Sequence, residues 1–218
     1  MTWRTQIVDR GLFREPTDVL AQRLLGLVLV HETPEGTTAG RIVECEMYQG
    51  PHDKGAHSYG GIPTARTQVI YGPAGHAYVY LIYGMYWCFN VVSAPEGVPH
   101  AILVRALEPL DGIDTMLMRQ PLGTRPPNPH RLASGPGKLC RAMGIDRRAY
   151  GRPLWEPPLY LAYPGRPWPT YTIASGTRIN IAYAEEAQHW PWRFWVDGHP
   201  GVSGPRRPQV LARTPPPI

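Results

Sequence analysis

Between His76 and Asn90 the chain is dense in aromatic and β-branched residues and is broken only at Gly84. Side chains of this kind suit a pleated surface, so the run reads as two strands joined near Tyr83-Gly84, with a tyrosine at the tip. Elsewhere glycine (23 residues) and proline (26) punctuate a chain of 218 so often that helices must be short, which excludes an all-helical bundle. With 43% hydrophobic and 18% charged residues, the chain is too apolar to stay disordered as a whole.

Thr17-Asp18 is placed to cap a short helix carrying Val19, Leu20, Arg23 and Leu24, with Gly26 just past its end. Leu27–His31 and Thr37–Met47 are extended and flank the turn signal Pro34-Glu35-Gly36; as a hairpin they set Glu44 and Glu46 on one strand face. A Gly/His/Ser-rich loop, Gly50–Pro63, follows. Ala101–Leu107 is an apolar strand interrupted by Arg105, and Ile113, Met116 and Leu117 have helical spacing. Pro121–Pro136 is irregular, and a helix with Leu139 and Met143 follows Ser134-Gly-Pro-Gly-Lys138. Tyr171–Ile173, Ile179–Tyr183 and Arg193–Val196 are β-like. No repeat or long linker divides the chain, so residues 1–218 read as a single domain.

A formal charge of +5 favours a polyanionic partner. Lys54 and Lys138 are the only lysines, so the basic character is arginine, which pairs with phosphate in bidentate fashion; a GC-rich genome or a heat-adapted host produces the same bias. Cys45, Cys88 and Cys140 are odd in number and far apart, as suits reduced thiols. The start, MTWRTQIVDRG, has no signal-peptide stretch, and Leu24–Val30 and Ala77–Trp87 are too short or too tyrosine-rich to span a membrane. The expectation is a soluble cytoplasmic protein.

Glu44 and Glu46, two apart in Val-Glu-Cys-Glu-Met-Tyr, can supply a carboxylate that takes a proton from water; they equally fit two surface glutamates on a half-exposed strand, and spacing does not choose between them. Tyr48, Tyr78, Tyr80, Tyr83, Tyr86 and Trp87 offer flat faces for a nucleobase, although aromatics at period two also fill ordinary sheets. Tyr83, a bulky ring beside a turn glycine, is hard to bury and resembles a wedge. Arg105 needs a partner inside its apolar strand, most simply Glu46, Glu44 or Glu108. His52, Asp53 and His57 lack metal-ligand spacing, and no phosphate-loop or Gly-x-Gly-x-x-Gly motif occurs. Ser134-Gly-Pro-Gly-Lys138 could aim helix-start N–H groups and Lys138 at an anion, or simply start a helix.

Four ordered blocks, Arg41-Ile-Val-Glu-Cys-Glu-Met-Tyr-Gln-Gly-Pro51, Ala56-His57-Ser58, Tyr78-Val-Tyr-Leu-Ile-Tyr-Gly-Met-Tyr-Trp-Cys-Phe-Asn90 and Leu103-Val-Arg-Ala-Leu-Glu-Pro109, resemble the alkyladenine (3-methyladenine) DNA glycosylase family. The likeness runs from about Leu24 to Trp195, and Gly151–Thr170 is where it matches least. The resemblance implies a single α+β domain with a curved antiparallel sheet, surrounding helices and a protruding aromatic hairpin that enters the DNA minor groove, and no metal or cofactor. By the same resemblance Glu46 activates the hydrolytic water and Arg105 holds that water or the carboxylate. Tyr48, His57 and Tyr80 line the base pocket, Asn90 meets the purine edge and Leu103 packs nearby. Tyr83, with Gly84 and Met85 at the tip, fills the gap left by a flipped nucleotide, and Lys138 is a further DNA contact.

The implied activity is monofunctional removal of alkylated or deaminated purines, such as 3-methyladenine, 7-methylguanine and hypoxanthine, from double-stranded DNA by a monomer acting at the chromosome. Lys54, in a polar loop, offers no lyase nucleophile. The alternatives are a non-catalytic nucleic-acid-binding protein using the same basic surface and hairpin, and, with little support, a sugar glycosidase built on Glu44 and Glu46.

Overall fold

The computed structural model describes residues 3–121, 128–165 and 168–213. In chain order its regular elements are α1 (Thr17–Leu24), β1 (Val28–Thr33), β2 (Gly36–Gln49), β3 (Ala77–Ile82), β4 (Tyr86–Val92), β5 (His100–Asp111), α2 (Ile113–Met118), α3 (Pro136–Met143), β6 (Leu159–Ala162), β7 (Thr172–Gly176), β8 (Arg193–Val196) and β9 (Val210–Arg213). The strands form one sheet in the order β3-β4-β5-β2-β8-β7-β9, with β1 joining β2 to β6, and every pairing is antiparallel. Short helices pack on this sheet, an α+β architecture.

Strand β2 is the axis, pairing with β1 over its first half, with β5 along most of its length and with β8 near its end. Two irregularities in the β2–β5 ladder decide where polar side chains point. Ile42 faces Leu107 while Glu44 faces Ala106, so Val43 is an extra residue in β2; Cys45 then faces Val104, so Arg105 is an extra residue in β5. Each bulge offsets the register change of the other, and a bulge re-aims its side chain. The guanidinium of Arg105 thereby reaches both Glu44 and Glu46.

The core explains why one face of β2 is apolar. Leu20 and Leu24 of α1, Leu139 and Met143 of α3, and Val43, Cys45, Val104 and Leu107 belong to one buried cluster, and the Cys45 thiol donates to the Ala21 carbonyl at 3.0 Å. Cys45, Cys88 and Cys140 are all buried free thiols. No helix among the described residues is long and apolar enough to cross a membrane.

Most elements expected from the sequence are present, and the departures have physical reasons. Thr17 does not cap α1, whose N-cap position is Pro16; buried against the sheet, its hydroxyl donates instead to the Ser93 carbonyl at 3.1 Å. Ile179–Tyr183 is no strand: the Ile179 amide is taken by a side chain, and Asn180 has φ +61. Strand β7 begins at Thr172 and continues to Gly176, beyond the expected Tyr171–Ile173. The Pro-rich stretch after Gly151 contributes β6, which pairs with β1. Of Pro121–Pro136, residues 122–127 lie outside the described residues, as do 166–167 of the Gly151–Thr170 stretch.

Candidate active site

One row of cross-strand neighbours carries much of the site. Tyr78 on β3 pairs with Asn90 on β4, Asn90 with Leu103 on β5, Leu103 with Glu46 on β2, and Glu46 with Arg193 on β8. Directly opposed residues in an antiparallel sheet share a face. Five positions spread over more than a hundred residues of sequence thus stand side by side.

Both glutamates are fully buried, which removes the reading of two surface carboxylates. They have different surroundings. Glu44 is enclosed: its Oε1 accepts from Arg105 Nε (2.9 Å) and Arg193 Nε (2.7 Å), and its Oε2 from the Ser203 amide (2.6 Å). Glu46 accepts from the Tyr48 hydroxyl (2.8 Å) and Arg105 Nη1 (3.2 Å) at Oε2, and from the Ile179 amide (2.7 Å) at Oε1. Those three partners of Glu46 all line a cleft, so its carboxylate sits just behind the cleft wall. Burial opposes the charge on Arg105, but Glu46 and Glu44 outweigh it and raise its pKa, which keeps the guanidinium charged. Burial, reinforced by Glu46, pushes the Tyr48 hydroxyl well above its ordinary value, so it remains a donor. Glu108, the third candidate partner of Arg105, pairs instead with Arg41 at 2.8 Å.

The cleft has a volume of ≈ 250 Å³. Sites for drug-sized ligands run to roughly 300–1,000 Å³, so this one suits a single flat ring system. Tyr48, His57, Tyr80, Asn90 and Leu103, all named from the sequence, line it together with Arg105. The His57 and Tyr80 rings meet edge-on at 4.5 Å between centroids, His57 Nδ1 shares a hydrogen bond of 2.8 Å with the Tyr78 hydroxyl, and the guanidinium of Arg66 lies 4.9 Å from the Tyr80 ring. Asn90 donates its amide to the Tyr78 carbonyl at 3.0 Å, which pins the orientation of its side chain.

Desolvation among these rings, helped by the positive charge of Arg66, lowers the His57 pKa to about 4. The imidazole is therefore neutral at neutral pH and charges only in acid. An NMR titration of the His57 ring should show no step between pH 6 and 7; a midpoint near the ordinary histidine value of about 6.5 would contradict this environment.

The hairpin tip is built as a tight turn. Tyr83 (φ +53) and Gly84 (φ +67) both lie in the left-handed region, and the Met85 amide donates to the Ile82 carbonyl at 3.2 Å, a type I′ arrangement. Glycine adopts this backbone freely, whereas a tyrosine there is strained, and such strain gathers at functional positions. Tyr83 is 75% exposed and Met85 63%. Tyr83 also reaches the cleft rim, while Lys138 is exposed on α3 and is not among the lining residues, although its neighbours Pro136 and Gly137 are.

Among the described residues no group of three His, Cys, Asp or Glu could hold a metal ion. Of the trio considered from the sequence, Asp53 is committed to Arg178 and His57 to Tyr78. Lys54 pairs with Glu185 at 2.5 Å and with Glu186.

Sequence reasoning missed the contribution of the last third of the chain: Arg178, Ile179, Tyr183, Arg193 and Ser203. Arg193 carried a legible signal, a guanidinium heading an apolar strand, the same irregularity that marked Arg105. Ile179 and Ser203 act through backbone amides, which side-chain chemistry cannot reveal.

Comparison with known proteins bears on the same residues. The family model described as Methylpurine-DNA glycosylase (MPG) matches residues 11–200, a span that includes Gly151–Thr170. A protein of Bacillus cereus (strain G9842) named "Putative 3-methyladenine DNA glycosylase" is 51% identical over 189 residues, covering 84% of this chain and 92% of its own. A protein of Bacillus mycoides (strain KBAB4) with the same name is 50% identical over 198 residues, covering 88% and 97%.

Proposed function

Because this chain belongs to the methylpurine-DNA glycosylase family, DNA-repair enzymes that hydrolyse N-glycosyl bonds, we propose that it flips alkylated purines out of duplex DNA and removes them by direct attack of water. The observation that carries this reading is the Glu46 carboxylate, fully buried behind an aromatic cleft of one-base size and held there by Tyr48, Arg105 and the Ile179 amide. An ionised carboxylate offers about four acceptor positions; three are filled, which leaves one for a water.

Glu46 takes a proton from that water as its oxygen bonds to C1′ of the flipped nucleotide; the C1′–N bond breaks and its electron pair leaves with the base. An N-alkylated purine carries positive charge, so it departs neutral and needs no acid. The same charge favours the faces of Tyr48 and Tyr80 by cation–π attraction, and the neutral His57 does not repel it. Arg105 donates to the Glu46 carboxylate and holds it against the cleft wall. Asn90, its amide fixed on Tyr78, meets the purine edge beside Leu103 and disfavours the exocyclic amino group of normal guanine. The working unit in this reading is the monomer. Among the described residues that line the cleft no general acid stands out for neutral lesions, so hypoxanthine should be removed more slowly than 7-methylguanine.

The testing experiment incubates the protein with duplexes carrying one lesion each and cleaves the abasic sites with alkali; intact strands under all lesions would favour the non-catalytic binding alternative. Tyr83, at the exposed tip with Gly84 and Met85, plugs the gap left in the stack, and Lys138 contacts the backbone nearby. Tyr83→Ala should weaken binding to lesion duplex by roughly 1–3 kcal/mol, the range of one base–aromatic stack, with an unchanged melting temperature. Excision from single strands, which need no plug, should suffer less. A variant that melts early but binds duplex normally would assign the ring a structural role.

A further inference from the structure

Arg178 and Asp53 form an ion pair whose two side chains are completely buried, and neither touches the cleft. Arg178 Nη1 donates to Asp53 Oδ2 (2.5 Å) and the Met47 carbonyl (3.1 Å), and Nη2 to Asp53 Oδ1 (2.8 Å) and the Ala187 carbonyl (3.2 Å). Its guanidinium carbon stands 4.6 Å from the ring centre of Tyr48 and 5.1 Å from that of Trp192. Asp53 in turn accepts from the Gln49 amide (3.2 Å) and the Gly55 amide (2.8 Å), and Gly55, Ala56 and His57 line the cleft. The loop approaches so closely that a Cβ on Gly55 would lie 3.1 Å from Arg178 Nη2. The residue after Arg178 is Ile179, whose amide holds Glu46.

One planar group thus touches the Tyr48 wall, anchors the loop that supplies the His57 wall, and fixes the backbone that restrains the carboxylate. We propose that Arg178, pinned by Asp53, is a positioning residue that sets the gap between Tyr48 and the Gly55–His57 segment, and so the width available to a base. A buried ion pair adds little to stability that packed apolar residues could not supply, which makes a role in the site the stronger reason for its presence. Lysine keeps the charge but lacks the rigid fork that reaches Asp53, Met47 and Ala187 at once. The inference rests on the glycosylase reading for the nature of the ligand.

Two variants test it: Arg178→Lys, and the double variant Asp53→Leu/Arg178→Met, which removes both charges and so leaves no buried ion unpaired if the single variant folds poorly. Three quantities are read per folded molecule. These are single-turnover excision from a duplex with one 7-methylguanine, affinity for free 7-methylguanine by tryptophan quenching, and affinity for a duplex with a tetrahydrofuran abasic analogue, which has no base to place in the cleft. Excision and free-base affinity should fall on the order of 10- to 100-fold, the scale that misplacement by about 1 Å costs, while abasic-duplex affinity is unchanged. A double variant that folds and keeps wild-type excision and base affinity overturns the proposal, as does a loss of abasic-duplex affinity in step with excision. Wild-type protein that binds free base yet excises nothing would instead count against the glycosylase mechanism and leave the base-affinity comparison to decide the role of Arg178.

Discussion

Glu46→Gln should lower single-turnover excision of an alkylated purine by at least ~100-fold, the usual scale for loss of a general base, while binding of lesion duplex persists. The amide cannot take a proton from water. It also cannot satisfy all the donors around it: its carbonyl can serve either the Ile179 amide or the Tyr48 and Arg105 pair, and its NH2 then faces a donor on the other side. A stability cost of about 1–3 kcal/mol is therefore expected, and excision must be normalised to folded protein. Glu44→Gln is the instructive comparison, because Glu44 is closed in by Arg105, Arg193 and the Ser203 amide. It should melt early and, while folded, still excise. If Glu46→Gln excises normally and Glu44→Gln is inert, the base is Glu44.

Arg105→Leu should have the largest effect on stability. It leaves two fully buried carboxylates short of their shared cation, and breaking a buried pair by removing one partner typically costs about 3–5 kcal/mol. At about 2–4 °C per kcal/mol for a domain of this size, the melting temperature should fall by roughly 6–20 °C, with excision lost even below the transition. A calorimetric scan of Arg4→Ala is the control: it breaks an exposed pair with Glu32 and should leave the transition in place. Equal melting of Arg105→Leu and the wild type would mean that water reaches Glu44 and Glu46.

The aromatic hairpin, the β2 strand and the helix at Leu139 were legible because each depends on local periodicity or on a turn glycine. The resemblance supplied the choice of Glu46 over Glu44; the structure adds a physical difference between them, since only Glu46 has all its partners on the cleft wall. Two things could not be read. The bulges at Val43 and Arg105 arise from pairing between distant strands; the adjacent apolar pair Ile42-Val43 and the odd charge of Arg105 mark the places but do not fix the register. The Ile179 and Ser203 amides come from segments with no side-chain signature, and Ile179–Tyr183 imitates a strand in its sequence although only Ile181 of it packs with Tyr48 and Trp190.

The bonds that enclose the two glutamates span the chain, 133 residues from Glu46 to Ile179 and 159 from Glu44 to Ser203. At about 5–20 residues per second, a ribosome extrudes β2 roughly 8–30 s before the amide that completes its burial exists. Throughout that interval an apolar strand, Ile42-Val43 with Cys45 and Met47, waits without its final cover. Charges interleaved in such a segment discourage it from adding to another chain. Glu44 and Glu46 place two charges inside that apolar segment while it waits, and they lose their contact with solvent only when the Ser203 and Ile179 amides fold back over them.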